Sequence, residues 1–558
     1  MDNIRFADEE TNSIESVTLQ DADLNKFLGI SGYTNNLPIF SLANPSINNS
    51  SENSAVGTAT LNAKTLTQEP TLAGHCGRQN TLPSSTLGND ALRKSACQKS
   101  NSQEKLSDFV KQQKWPWFFS SIKSSLGFYP LLLLSIWVLL LAFCGTQQVF
   151  PGGNVFSLLL LQVLSTAMGE IIQITRMPPM LGMLFTGIFL ANTSFIQITK
   201  GFKEIANPIR AISVGILITR GALCVNTKAI HEFRRVVPPL AVIPCVVEAI
   251  VVSFAAYWLL RSLLTPAWCA LLGCILCSMS GVILMPLLAS LDKSCSGAQS
   301  RKVIAITRAS CGLDAILSIC LTNIALGLVY PSKETFSDDL FFGILDVVLG
   351  FVFGLFWGSC IGILIDPNVS QNQTVVSLVC GSVLSMIGCA KVKRPRCGAP
   401  AVFAGTLVSA FLWSRNTDGD EHKKLLHNSV DKLWWFCQPF LFGILGAKTE
   451  LETVDWDVIV RGIVCILFGI TARVLAALTI SRCLRLNWRQ QLFIAISWIP
   501  KGTVQAAVGP LALDMAQDFL DQRRGVNVLN ITIATILIGA TVGSVALLVL
   551  GKPFLRRC

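Results

Sequence analysis

Charge is what this sequence has least of: 14% of its 558 residues are Asp, Glu, Lys or Arg, against about 25% in an ordinary soluble domain. Histidine and tyrosine are also scarce, at four residues each. The histidines, His75, His231, His422 and His427, fall in the N-terminal region and in connecting loops, away from any metal-ligand spacing or phosphate-binding glycine loop. That pattern gives an enzyme nothing to work with, so the histidines read as solvated or incidental and neither cofactor nor metal is expected. The N-terminus also lacks an apolar core of the secretory kind. Residues 1–112, rich in Ser, Thr and Asn, therefore read as a disordered cytosolic tail without a cleavable signal peptide.

Apolar residues fill the place of charge. They make up 51% of the chain, and the mean hydropathy is +0.54, a balance that points to an all-α polytopic membrane protein. About fourteen apolar segments reach spanning length: 126–144, 155–174, 180–196, 209–223, 236–261, 266–290, 302–330, 340–366, 374–391, 398–413, 431–449, 457–483, 488–511 and 527–550. They define a transmembrane domain over 113–550, followed by a short basic tail over 551–558. An even count puts both termini on one side, and the basic loops 228–235, 293–302 and 482–489 make that side cytosolic. The net charge of +11 thus reflects topology in a bilayer rather than nucleic-acid binding. Two basic loops, 200–210 and 391–396, fall on the opposite side; the second reads as a solvated loop or as an anion-attracting vestibule. The 19 cysteines are scattered through apolar stretches and read as small buried hydrophobes.

Two spans are interrupted in corresponding places. One carries Ser278-Met279-Ser280-Gly281 and then Pro286; the other carries Pro500-Lys501-Gly502-Thr503. Paired interruptions point to inverted repeats whose two broken helices cross at a binding site near the bilayer midplane. Charge gathers around them. Glu248 precedes the first break by one span, Arg473 precedes the second by one span, and Asp314 lies mid-span on the helix after the first break. A charge left alone in hydrocarbon costs roughly 2.5–3.5 kcal/mol on insertion scales. Two ion pairs are accordingly expected, Glu248 with Arg473 as a structural pair and Asp314 with Lys501 as the transport site.

Pro151-Gly152-Gly153-Asn154, Met177-Pro178-Pro179-Met180, Pro244-Cys245-Val246-Val247-Glu248-Ala249, Gln438-Pro439-Phe440-Leu441-Phe442-Gly443 and Trp498-Ile499-Pro500-Lys501-Gly502-Thr503 occur in order. In these the chain resembles the sodium/proton antiporter superfamily, most closely its animal NHA-type sodium/hydrogen exchanger-like branch, from about residue 126 to 550. The resemblance implies the antiporter fold, a homodimer, elevator-like alternating access, and exchange of protons for sodium or lithium across a plasma membrane or endomembrane. It implies that Asp314, Lys501, Ser280 and Thr503 serve ion and proton binding, that Glu248 and Arg473 form the core ion pair, and that Gly281, Pro286, Pro500 and Gly502 shape the broken helices.

The chain departs from the family in one telling place. Where the family has two adjacent aspartates, this sequence has Asp314-Ala315, so the main cation ligand is absent. Gly281 stands where proline is usual, Arg308 adds a positive charge near Asp314, and Lys448 replaces an acid. A secondary transporter coupling protons to a small inorganic ion is the leading reading. The alternatives are a transport-incompetent or regulatory paralogue, and proton-coupled anion transport with chloride as the ion.

Overall fold

The computed structural model describes residues 128–556, apart from Asn226 and the segments 295–296, 331–335, 366–370, 415–418 and 484–485. The expected tail over 1–112 lies outside the described residues. In chain order the long helices are α1 Phe128–Cys144, α2 Asn154–Ile174, α3 Pro179–Asn192, α4 Lys200–Cys224, α5 Val237–Leu260, α6 Pro266–Leu276, α7 Gly281–Ser294, α8 Ala298–Val329, α9 Phe336–Leu364, α10 Gln371–Val383, α11 Gly398–Ser414, α12 Gly419–Ala447, α13 Trp456–Cys483, α14 Trp488–Ser497, α15 Thr503–Met515 and α16 Phe519–Arg556. No strand occurs among the described residues. With α6 and α7 taken as one span, and α14 and α15 as another, each of the expected apolar segments coincides with a helix. Among the described residues, nine helices are long and apolar enough to cross a membrane.

The helix ends follow local chemistry. Pro179 and Pro266 open α3 and α6, where a missing N–H costs nothing. The Thr199 hydroxyl accepts the Phe202 N–H at 3.1 Å to cap α4. α16 runs on to Arg556, so residues 551–556, read from the sequence as a tail, continue the last helix. The reason is packing: Leu555 is buried, and its carbonyl accepts the Ser300 hydroxyl at 3.0 Å.

The helices sort into two bundles by what they pack against. The first holds α5 to α8 and α13 to α16, with α5 against α13 and α15 against α16. The second holds α2, α3, α4 and α9 to α12, with α9 against α11 and α12 against α3 and α4. α8 and α15 carry the first bundle's contacts with α4, α11 and α12. Within the second bundle, Gly350, Gly354, Gly358 and Gly362 form a stripe at every fourth residue of α9. A Cβ at Gly354 would come within 2.8 Å of the Ala404 methyl, so α9 and α11 sit too close for any side chain there. Phe254 and Trp258 on α5 and Phe356 on α9 are exposed, a surface suited to lipid rather than water.

Candidate functional site

The first bundle contains both breaks. α6 stops at Leu276 and α7 begins at Gly281; α14 stops at Ser497 and α15 begins at Thr503. Pro500 explains the second interruption, because it offers no N–H to a continuing helix. The first has no proline between residues 277 and 280. Pro286, expected to shape this break, instead lies inside α7. What holds the first break open is the second: the Ser280 N–H donates to the Pro500 carbonyl at 2.8 Å, and Gln505 Nε2 donates to the Ser278 carbonyl at 2.6 Å. The Ser280 and Thr503 hydroxyls lie 3.2 Å apart. Each break thus completes the backbone of the other, as a nonhelical stretch in hydrocarbon requires.

Four charged side chains converge on this crossing, all with 1% exposure or less: Glu248, Asp314, Arg473 and Lys501. Their pairing differs from the expected one in a single respect. Arg473 reaches Glu248 Oε2 at 2.8 Å, as anticipated, but its second amino group reaches Asp314 Oδ1 at 2.5 Å. Lys501 turns away from Asp314 and donates to both oxygens of Glu248, at 2.7 and 2.6 Å, and to the Leu276 carbonyl at 2.7 Å. The cause is geometric. A planar guanidinium spans two carboxylates, whereas an ammonium is a point charge with three donors that suits a helix end. That end is the C-terminus of α6, where Lys501 meets the Leu276 carbonyl and Arg473 the Cys277 carbonyl. Asp314 Oδ2 is taken by the Met279 N–H at 3.0 Å. Two acids and two bases therefore cancel, with all three Lys501 donors and both Asp314 oxygens in use.

Ala315, the next residue on α8, faces a cavity of about 70 Å³ between the two bundles. Its walls come from α4, α7, α8, α11 and α15, and include Gly281, Thr503 and Arg220. Thr503 brings the lining's one hydroxyl, and the lining holds no carboxylate. Among the described residues no cluster of His, Cys, Asp and Glu is able to hold a metal ion.

The charges that the sequence left over are paired elsewhere. Arg308 points to Asp292 at 3.8 Å, not toward Asp314. Lys448 and Arg210 both bond Asp514, at the last turn of α15. Arg394 and Arg396 share the buried Asp346 at 2.6 and 2.9 Å, which ties down two cations of the loop read as a possible vestibule and offsets one of their charges. Sequence reasoning missed Gln505, whose spacing from Gly502 is that of a cap, and it missed Gly539 and Gly543. Those two glycines of α16 make room for Lys501 and Pro500: a Cβ at Gly543 would approach Pro500 Cα to 2.6 Å. A small residue at every fourth position was the available signal.

The comparisons agree with this architecture. A family model described as sodium/hydrogen exchanger, transmembrane, matches residues 159–550. Sodium/hydrogen exchanger 9B2 of Homo sapiens is 27% identical over 442 residues, covering 76% of this chain and 80% of the relative. Sodium/hydrogen exchanger 9B1 of Homo sapiens is 26% identical over 442 residues, covering 76% and 83%. Among solved structures, the sodium proton antiporter MjNhaP1 from Methanocaldococcus jannaschii superposes with a TM-score of 0.55 at 19% identity, over 72% of this chain and 98% of that one. The last is a likeness of fold.

Proposed function

The chain belongs to the sodium/hydrogen exchanger family, and from that premise we propose that it is a multi-pass secondary transporter coupling proton movement to a small monovalent cation, sodium or lithium. The observation that carries this reading is the closed set of Glu248, Asp314, Arg473 and Lys501, buried where the two broken helices cross. A proton gained by either acid, or lost by Lys501, leaves a net charge in a dry site, and an ion of the right sign compensates it. Ser280 and Thr503 offer neutral oxygens beside that charge. The bundle that holds the crossing slides against the other in elevator-like alternating access, and each cycle breaks and remakes the links of Asp514 to Arg210 and Lys448. The protein works as a homodimer in a plasma membrane or endomembrane, with both termini cytosolic.

A second reading is favoured by the apolar cavity beside Ala315: a transport-silent or regulatory paralogue that keeps the scaffold. Chloride coupling has less support, because Arg220, the cation on the cavity wall, already binds Asp431 at 2.5 Å. The test is flux driven by a pH gradient in liposomes containing the purified protein, with sodium, lithium, potassium and chloride run in parallel. Cation flux in the native protein that is lost in Asp314→Asn supports antiport. A silent native protein that gains sodium flux in Ala315→Asp supports the second reading.

A further inference from the structure

Beside the same cavity lies a cluster that the ion-pair network does not use. Arg220 and Cys224 stand four residues apart on α4, and His427 and Asp431 stand four residues apart on α12, so each pair shares a helix face. The two faces meet. Cys224 Sγ lies 2.9 Å from His427 Nε2, His427 Nδ1 lies 3.0 Å from Asp431 Oδ2, and Asp431 Oδ1 accepts from Arg220 Nε at 2.5 Å. The Asp431 carboxylate on Nδ1 and the sulfur on Nε2 raise the ring's hold on a proton, to a pKa of about 10, so both ring nitrogens are set to carry protons and Nε2 is the site where a proton from the sulfur is held. Nucleophile, base and orienting acid thus stand in the order that activates a cysteine. Cys224 is half-buried, and with Arg220 it lines the cavity that Ala315 faces, so an electrophile in the cavity meets the sulfur directly.

We infer that Cys224 is a thiol-modification site, in which His427 and Asp431 activate the sulfur toward small disulfides and the group it acquires occupies the cavity between the bundles. The step balances without a further oxidant. With the proton it shares with Cys224 held on His427 Nε2, the sulfur attacks one sulfur of the disulfide, and the S–S bond of the reagent breaks. The leaving thiolate takes the proton from His427 and departs as a free thiol. One disulfide is consumed and one mixed disulfide forms.

Bis(2-hydroxyethyl) disulfide, whose transferred group is small enough for a cavity of about 70 Å³, is the probe, applied to the purified full-length chain, with modification at each cysteine followed by peptide mass spectrometry. Cys144, Cys380 and Cys483 are more exposed than Cys224 and serve as internal references. Cys224 is expected to react at least about tenfold faster than any of the three, and His427→Gln is expected to slow Cys224 about tenfold while leaving the references unchanged. Asp431→Asn is expected to slow it less. A Cys224 rate at or below the reference rates overturns the inference, and so does a rate indifferent to His427→Gln. If that variant does not fold, as judged by its melting and by altered reference rates, Asp431→Asn and the native rate ratio decide the matter.

Discussion

Asp314 and Ala315 are consecutive on α8, yet they look into two different chemistries. Asp314 is sealed among Arg473, the Met279 N–H and the crossed helices, in a network where positive and negative charges cancel. Ala315 looks into a cavity whose walls hold no carboxylate. One face has acids and no space; the other has space and no acid. The difference separates two jobs that adjacent acids would share: holding the crossing together and offering negative charge to a guest. This chain keeps the residues for the first job; at the position facing the cavity it has Ala315.

The comparison breaks most severely if the charged face is disturbed. Arg473→Met leaves Glu248 and Asp314 with Lys501 as their one cation, and a loss of about 3–5 kcal/mol is expected from stranding a buried charge. Melting of the detergent-purified protein reads this loss, and adding Asp314→Asn to the same variant recovers part of it. No recovery would mean that packing, not charge, is what Arg473 supplies. Next in size is Asp514→Asn, which leaves Arg210 and Lys448 without their shared acid and is expected to cost about 2 kcal/mol. Its melting should become more sensitive to added anions than that of the native protein.

On the empty face the sign reverses. Ala315→Val fills the cavity with apolar atoms and is expected to raise stability by about 1 kcal/mol, whereas an equally small change at Gly312, where a Cβ would approach Val225 Cγ2 to 2.7 Å, lowers it. Opposite shifts in melting temperature would confirm that the space beside Ala315 is real; a loss in both would remove it. The smallest effect belongs to Thr503→Val, which breaks the hydroxyl contact with Ser280 and costs about 0.5–1 kcal/mol. A larger loss would assign Thr503 to a tighter network than its 3.2 Å contact implies.

The spans were legible in the sequence because hydrocarbon imposes a length and a composition that can be read one residue at a time. The two breaks were legible through Pro500, Gly502 and Gly281. Glu248, Asp314, Arg473 and Lys501 were legible as a group because each violates its apolar surroundings. Which acid takes which base was not. That choice depends on the free carbonyls of Leu276 and Cys277, which draw Lys501 and Arg473 to the end of α6, and a backbone carbonyl has no sequence signature. The triad of Cys224, His427 and Asp431 was hidden for a different reason. His427 and Cys224 are 203 residues apart, and by themselves the one reads as incidental and the other as a small buried hydrophobe; only the antiparallel approach of α4 and α12 joins them.

The mutual completion of the two breaks also has a consequence in time. The Ser280 and Thr503 hydroxyls that meet at the crossing are 223 positions apart in the chain. At a synthesis rate of roughly 5–20 residues per second, about ten to forty-five seconds separate the emergence of the first break from that of its partner. Until then the Ser280 N–H and the Leu276 and Ser278 carbonyls have no mate from the second half of the chain. The early half must wait in contact with water, the insertion machinery or a chaperone, and any ribosome that stops before residue 500 delivers a nascent protein with an open wound in its membrane interior.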